Sequence, residues 1–176
     1  MGDYADWLAK FIKKLNLDKP HILAHSFGAR VAIKLLSEFG CLADGLVITG
    51  GAGLVKPRSS QYLRKVRVYR RIKKLFPKFA ERHFGSKEYR ELSPMMKESY
   101  KKIVNEDLRD AAQKITNPTY LLYGREDSVT PPDEEGKIFN LLIAGSKLEI
   151  MDGGHFCFCE HPRQFNEKIL TFLGEL

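Results

Sequence analysis

Three side chains able to share nucleophilic chemistry stand at the ends of apolar runs. Ser26 closes Ile22-Leu23-Ala24-His25 and opens Phe27-Gly28-Ala29. A serine at so sharp a strand-to-helix turn has an exposed hydroxyl, and the next backbone N–H is free to meet an oxyanion. The pattern is G-x-S-x-G with Ala24 in place of the first glycine. Asp127 follows Tyr120-Leu121-Leu122-Tyr123-Gly124, and His155 follows Leu148-Glu149-Ile150-Met151. A serine hydroxyl is a weak nucleophile near neutral pH, so its attack needs a base to take the proton. Each residue alone has a plainer reading: Ser26 as a helix cap, Asp127 as a turn former, His155 as a loop histidine. Three such residues at three strand ends, where open α/β sheets bind ligands, point to one site.

The elements that must position them alternate in type. The runs at about 20–25, 46–50, 120–124 and 148–151 read as buried strands. Residues 4–15 read as an amphipathic helix with Tyr4, Leu8, Phe11, Ile12 and Leu15 on one face and Asp3 as its cap. Residues 27–39 read as the helix behind Ser26, stopped at Gly40. Pro131 and Pro132 start a helix over about 133–143. A last helix over about 162–173 turns Phe165, Ile169, Leu170, Phe172 and Leu173 mostly inward.

The order Ser, Asp, His, together with Gly28 after the serine and Glu160-His161-Pro162 after the histidine, resembles the α/β-hydrolase superfamily over about residues 1–54 and 113–176. The resemblance implies an α/β fold: a mostly parallel sheet of about four strands flanked by helices, with a helical cap inserted at 55–112. It makes Ser26 the nucleophile, His155 its base, Asp127 the partner that orients His155, and Phe27 N–H an oxyanion donor. It further implies that four earlier strands, and the loop carrying the other oxyanion donor, would precede Met1. One edge of the strand at 20–25 would then lie open to a second copy or to a separate N-terminal half. The expected activity is hydrolysis of an ester or related acyl bond in a small molecule, with no cofactor and no metal. The alternative is a non-catalytic fragment serving as an interaction module.

Charge is unevenly spread. The chain has 176 residues and a net charge of +7, but residues 56–102 hold 16 Lys/Arg against 4 Asp/Glu. Tyr62, Val66, Tyr69, Ile72, Phe76 and Phe79 recur at helical steps there, so about 61–75 reads as a basic amphipathic helix ended by Pro77. Its readings are a solvated outer face, a lid that attracts anionic or lipid-like substrates or touches an anionic membrane weakly, and non-specific phosphate attraction; no motif for specific nucleic-acid binding occurs. Further helices are expected at about 94–105 and 107–114. Cys41, Cys157 and Cys159 make a poor disulfide framework and a poor zinc site, so they read as free thiols in a reducing, cytoplasmic setting. No basic-then-apolar leader and no transmembrane run is visible. His21, His25, His83 and His161 are assigned no catalytic part, and His25 reads as structural.

Overall fold

The computed structural model describes residues 1–55, 60–76 and 92–175. Four strands form one parallel sheet in the order β1 (Ile22–His25), β2 (Leu46–Thr49), β3 (Thr119–Gly124), β4 (Lys147–Met151). Every residue of β2 and β3 is buried, as expected of inner parallel strands covered on both faces. The expected four-stranded α/β architecture is the observed one.

Two layers of helices cover the sheet. On one face Ala24, Leu46, Ile48, Leu121 and Tyr123 meet Ala29, Ala32, Ile33 and Leu36 of α2 (Phe27–Phe39). Alanines at 29 and 32 let α2 approach the sheet closely. On the other face Val47, Tyr120, Leu122 and Met151 meet Phe165, Ile169 and Phe172 of the C-terminal helix Pro162–Gly174. Leu170 departs from expectation: it is 68 % exposed, because the buried stripe runs 165, 169, 172 and leaves position 170 on the opposite side. Helix α1 (Gly2–Lys14) buries Ala5, Ala9 and Ile12 against Leu35 of α2. Of the expected face, Ile12 is buried and Leu8 packs beside it, while Tyr4, Phe11 and Leu15 stay exposed, as does Trp7, since the small alanines allow the closer helix contact. Asp3 lies in the first turn rather than at the cap, which is Met1.

Two helix ends also differ. Gly40 has φ −53° and continues into the 3₁₀ turn Gly40–Leu42; the Asn117 amide nitrogen binds its carbonyl at 2.9 Å, so no left-handed stop is needed. After Pro131 the chain first makes a π turn, Pro132–Gly136, and only then an α-helix, Lys137–Leu142.

The chain divides into two compact units, Met1–Leu54 with Glu106–Leu176, and Val55–Asn105. The first unit therefore includes Glu106–Ala112, which composition had put with the insertion: Leu108 and Ala112 are buried in its core, and the short helix Arg109–Ala112 lies there. The second unit contains α3 (Ser60–Leu75) and α4 (Pro94–Asn105), as the periodicity predicts. On α3, Val66, Tyr69 and Ile72 are half-buried and Arg64, Lys65, Arg67, Arg70, Arg71 and Lys74 are exposed. Pro77, Phe79 and His83, and the side chains of Tyr62 and Lys73, lie outside the described residues. Cys157 is buried, while Cys41 and Cys159 are exposed free thiols. Among the described residues no helix is long and apolar enough to cross a membrane.

Candidate active site

The tight turn after β1 is built on Ser26 itself, at φ +50° and ψ −111°. A left-handed, non-glycine residue of this kind costs on the order of 1–3 kcal/mol and persists only where its surroundings hold it. Ser26 N–H donates to Thr49 O at 3.1 Å, and its carbonyl accepts Ala29 N–H and Ala52 N–H, each at 3.2 Å. The turn has room here: a Cβ at Gly28 would sit 3.8 Å from the Ala24 methyl, ordinary contact. Alanine is thus accommodated at position 24. The Ser26 hydroxyl makes no capping bond to α2. It lies 3.0 Å from His155 Nε2 instead.

The other two residues meet it from the ends of β3 and β4. His155 Nδ1 is 2.8 Å from Asp127 Oδ2. Asp127 also keeps the turn-forming part that its type suggested. Its Oδ1 accepts Val129 N–H at 2.8 Å and Thr130 N–H at 2.9 Å, and Oδ2 accepts the Thr130 hydroxyl at 2.8 Å. With His155 that makes four donors for the four lone-pair positions of a carboxylate. Burial opposes ionisation of Asp127, but these bonds outweigh it and hold its carboxyl below the ordinary aspartate value.

Several supporting residues were not legible in the sequence. Gly50, at φ +51°, lies under the pair: a Cβ there would stand 3.1 Å from His155 Nδ1 and 3.3 Å from Asp127 Oδ2. Gly51 is crowded further, with Ile48 Cγ2 at 2.3 Å from such a Cβ. The first glycine of the run after β2 is therefore a seat for the imidazole. Its one sequence signal was two adjacent glycines directly after a buried strand. Gly124 is constrained too, since a Cβ would come within 2.2 Å of Gly154 O. The Tyr123 hydroxyl donates to Gly51 O at 3.1 Å; burial pushes its pKa up, so the phenol stays protonated.

The loop carrying His155 is tied down at both ends. Gly154 N–H donates to Glu160 Oε2 at 3.0 Å, and His25 Nε2–H donates to the carbonyl of His155 at 3.0 Å. The His25 ring also lies 4.7 Å from the His155 ring and 4.9 Å from that of Phe158, centroid to centroid. His25 thus braces the loop that carries His155. Phe27 N–H, in the first turn of α2, meets no acceptor among the described residues. Among those residues no group of three or more His, Cys, Asp or Glu could hold a metal ion.

Known proteins place this chain in a family. Residues 1–168 match the model of the alpha/beta hydrolase family. The putative carbamate hydrolase RutD of Serratia proteamaculans is 25 % identical over 98 % of this chain and 72 % of its own length. A 2-hydroxy-6-oxononadienedioate/2-hydroxy-6-oxononatrienedioate hydrolase of Klebsiella pneumoniae is 26 % identical over 98 % and 70 %. Among solved structures, the alpha/beta hydrolase MGS-MChE2, from a lagoon-sediment metagenome, superposes with a TM-score of 0.72 at 22 % identity, over 99 % of this chain and 69 % of its own. An esterase from Exiguobacterium antarcticum does so at 0.66 and 23 %, over 97 % and 72 %. With a four-stranded parallel sheet, a strained serine turn after β1 and a family match over nearly its whole length, this chain belongs to the alpha/beta hydrolase family.

Proposed function

We propose that the chain is a serine hydrolase acting on an ester or related acyl bond. One observation carries the reading: hydrogen bonds of 2.8 and 3.0 Å run from Asp127 through His155 to Ser26. Ser26 Oγ attacks the acyl carbon as His155 Nε2 takes its proton. Asp127 holds the imidazole and stabilises its charged form without taking the proton. Phe27 N–H, helped by the N-terminal end of α2, faces the developing oxyanion. His155 then passes the proton to the leaving group, giving an acyl-enzyme, and water releases the acid by the reverse sequence. Carbamate, dienedioate and ester hydrolases among the relatives set the range of bonds to try.

A second reading, an association module without turnover, is favoured by the outer edge of β1, which pairs with no strand among the described residues. Labelling with a fluorophosphonate, mapped by mass spectrometry, separates the two. The expected result is one adduct on Ser26, absent in Ser26→Ala and at least about a thousandfold slower in His155→Ala. A chain that is folded by circular dichroism yet unlabelled would overturn the hydrolase reading.

A further inference from the structure

We propose that Thr130 is a positioning residue that, together with Asp127, fixes the tautomer of His155, and so decides whether Nε2 meets Ser26 bare or protonated. The inference rests on the hydrolase reading for its consequence, though not for its geometry. Thr130 is buried, 3 % exposed, three residues after Asp127. Its hydroxyl is 2.8 Å from Asp127 Oδ2 and 3.2 Å from His155 Nδ1.

A threonine hydroxyl has one proton to donate. The shorter contact is to an ionised carboxylate, where a hydrogen bond is roughly twice as strong as one between neutral partners. The proton therefore goes to Asp127, and the oxygen turns only lone pairs toward His155. Nδ1 then faces two acceptors, Asp127 Oδ2 at 2.8 Å and Thr130 Oγ1 at 3.2 Å. It must carry the imidazole proton. Nε2 is left bare toward the Ser26 hydroxyl at 3.0 Å, the form a base requires. In the other tautomer Nε2–H would point at the serine and Nδ1 would point a lone pair at the carboxylate.

Thr130 also fixes the carboxylate. Two backbone amides hold Oδ1, at 2.8 and 2.9 Å, and among the described residues only the threonine hydroxyl and the imidazole hold Oδ2. Without that hydroxyl, Oδ2 keeps a single donor and Nδ1 loses its second acceptor.

Thr130→Val keeps the shape and both backbone bonds and removes only the hydroxyl; Thr130→Ser restores it. Two readouts apply to each variant. Two-bond proton–nitrogen NMR on histidine-labelled protein, with the His155 signals assigned by their loss in His155→Gln, reports the tautomer directly. The rate of fluorophosphonate modification reports the nucleophile. Wild type and Thr130→Ser are expected to hold the Nδ1–H tautomer. Thr130→Val is expected to show a mixture and to label about tenfold more slowly, the scale of one lost hydrogen bond to a charged group. If Thr130→Val does not fold, Thr130→Ala is compared with Thr130→Ser in the same way. A folded variant lacking the hydroxyl that keeps the wild-type tautomer and labelling rate overturns the proposal. A tautomer shift in a protein whose Ser26 never labels supports the role of Thr130 and removes the hydrolase reading alone.

Discussion

At the scale of single residues, the site is a set of groups each held by more than one neighbour. Ser26 is strained, but it is bracketed by Thr49, Ala29 and Ala52 through its own backbone. Asp127 has a further consequence for stability. Its folded-state pKa lies below the ordinary value, so its ionised form contributes stability at neutral pH. That contribution is complete above the unfolded value of about 3.9 and is lost as pH falls through the lower, folded value. The melting temperature of Asp127→Ala should therefore lie below that of wild type by a constant margin above about pH 5, a margin that narrows toward pH 3. Thermal unfolding followed by circular dichroism across that range checks it. Ser26, Asp127 and His155 were legible because each ends an apolar run, so their types and places carry the information. Gly50 and Thr130 were not, because their parts exist only once three strand ends converge.

At the scale of elements, the sequence located helices well and their rotation less well. Helix α2 occupies Phe27–Phe39, the predicted span. On helix α1 the predicted face holds Ile12 and Leu8, which pack, and Tyr4 and Phe11, which do not, because the buried stripe is turned toward Ala5 and Ala9. Close helix contact selects that stripe. The C-terminal helix makes the same point within one heptad. Phe172→Ala should cost about 3–5 kcal/mol of unfolding free energy, because it empties a site buried between Tyr120 and the sheet face. Leu170→Ala should stay within about 0.5 kcal/mol, because that side chain is already in solvent. Denaturant titrations of the two variants decide it. The π turn at Pro132–Gly136 had no signal beyond its prolines and acidic residues, since i+5 bonding leaves no distinct residue pattern.

At the scale of the whole molecule, the sheet order leaves β1 at one edge, paired only with β2 among the described residues. In a parallel ladder alternate residues face each neighbour. Ile22 N–H and Ser26 N–H point to β2, so Leu23 and His25 turn their backbone groups outward. Leu23 is also 52 % exposed, and Tyr4, Trp7 and Phe11 are exposed on α1. A strand edge left open in this way can pair with a second copy. Light scattering should find self-association that rises with concentration, and Leu23→Lys should lower it without loss of helix or strand content. A monodisperse monomer at every concentration would count against it. A different property lies where the chain leaves the sheet after β2 and returns before β3. Leu108 N–H donates to Gly53 O at 3.0 Å, Leu54 N–H to Glu135 at 3.3 Å, and Arg30 to Glu106 O at 3.0 Å. The two ends of the segment 55–105 are thus fastened to one another through bonds that the segment itself does not supply. Such a segment is a graft: it can be lengthened, exchanged or cut out while the stock stays whole. Replacing residues 56–104 by a short glycine–serine bridge should leave a cooperatively unfolding core with Ser26 still in place, which thermal unfolding followed by circular dichroism checks.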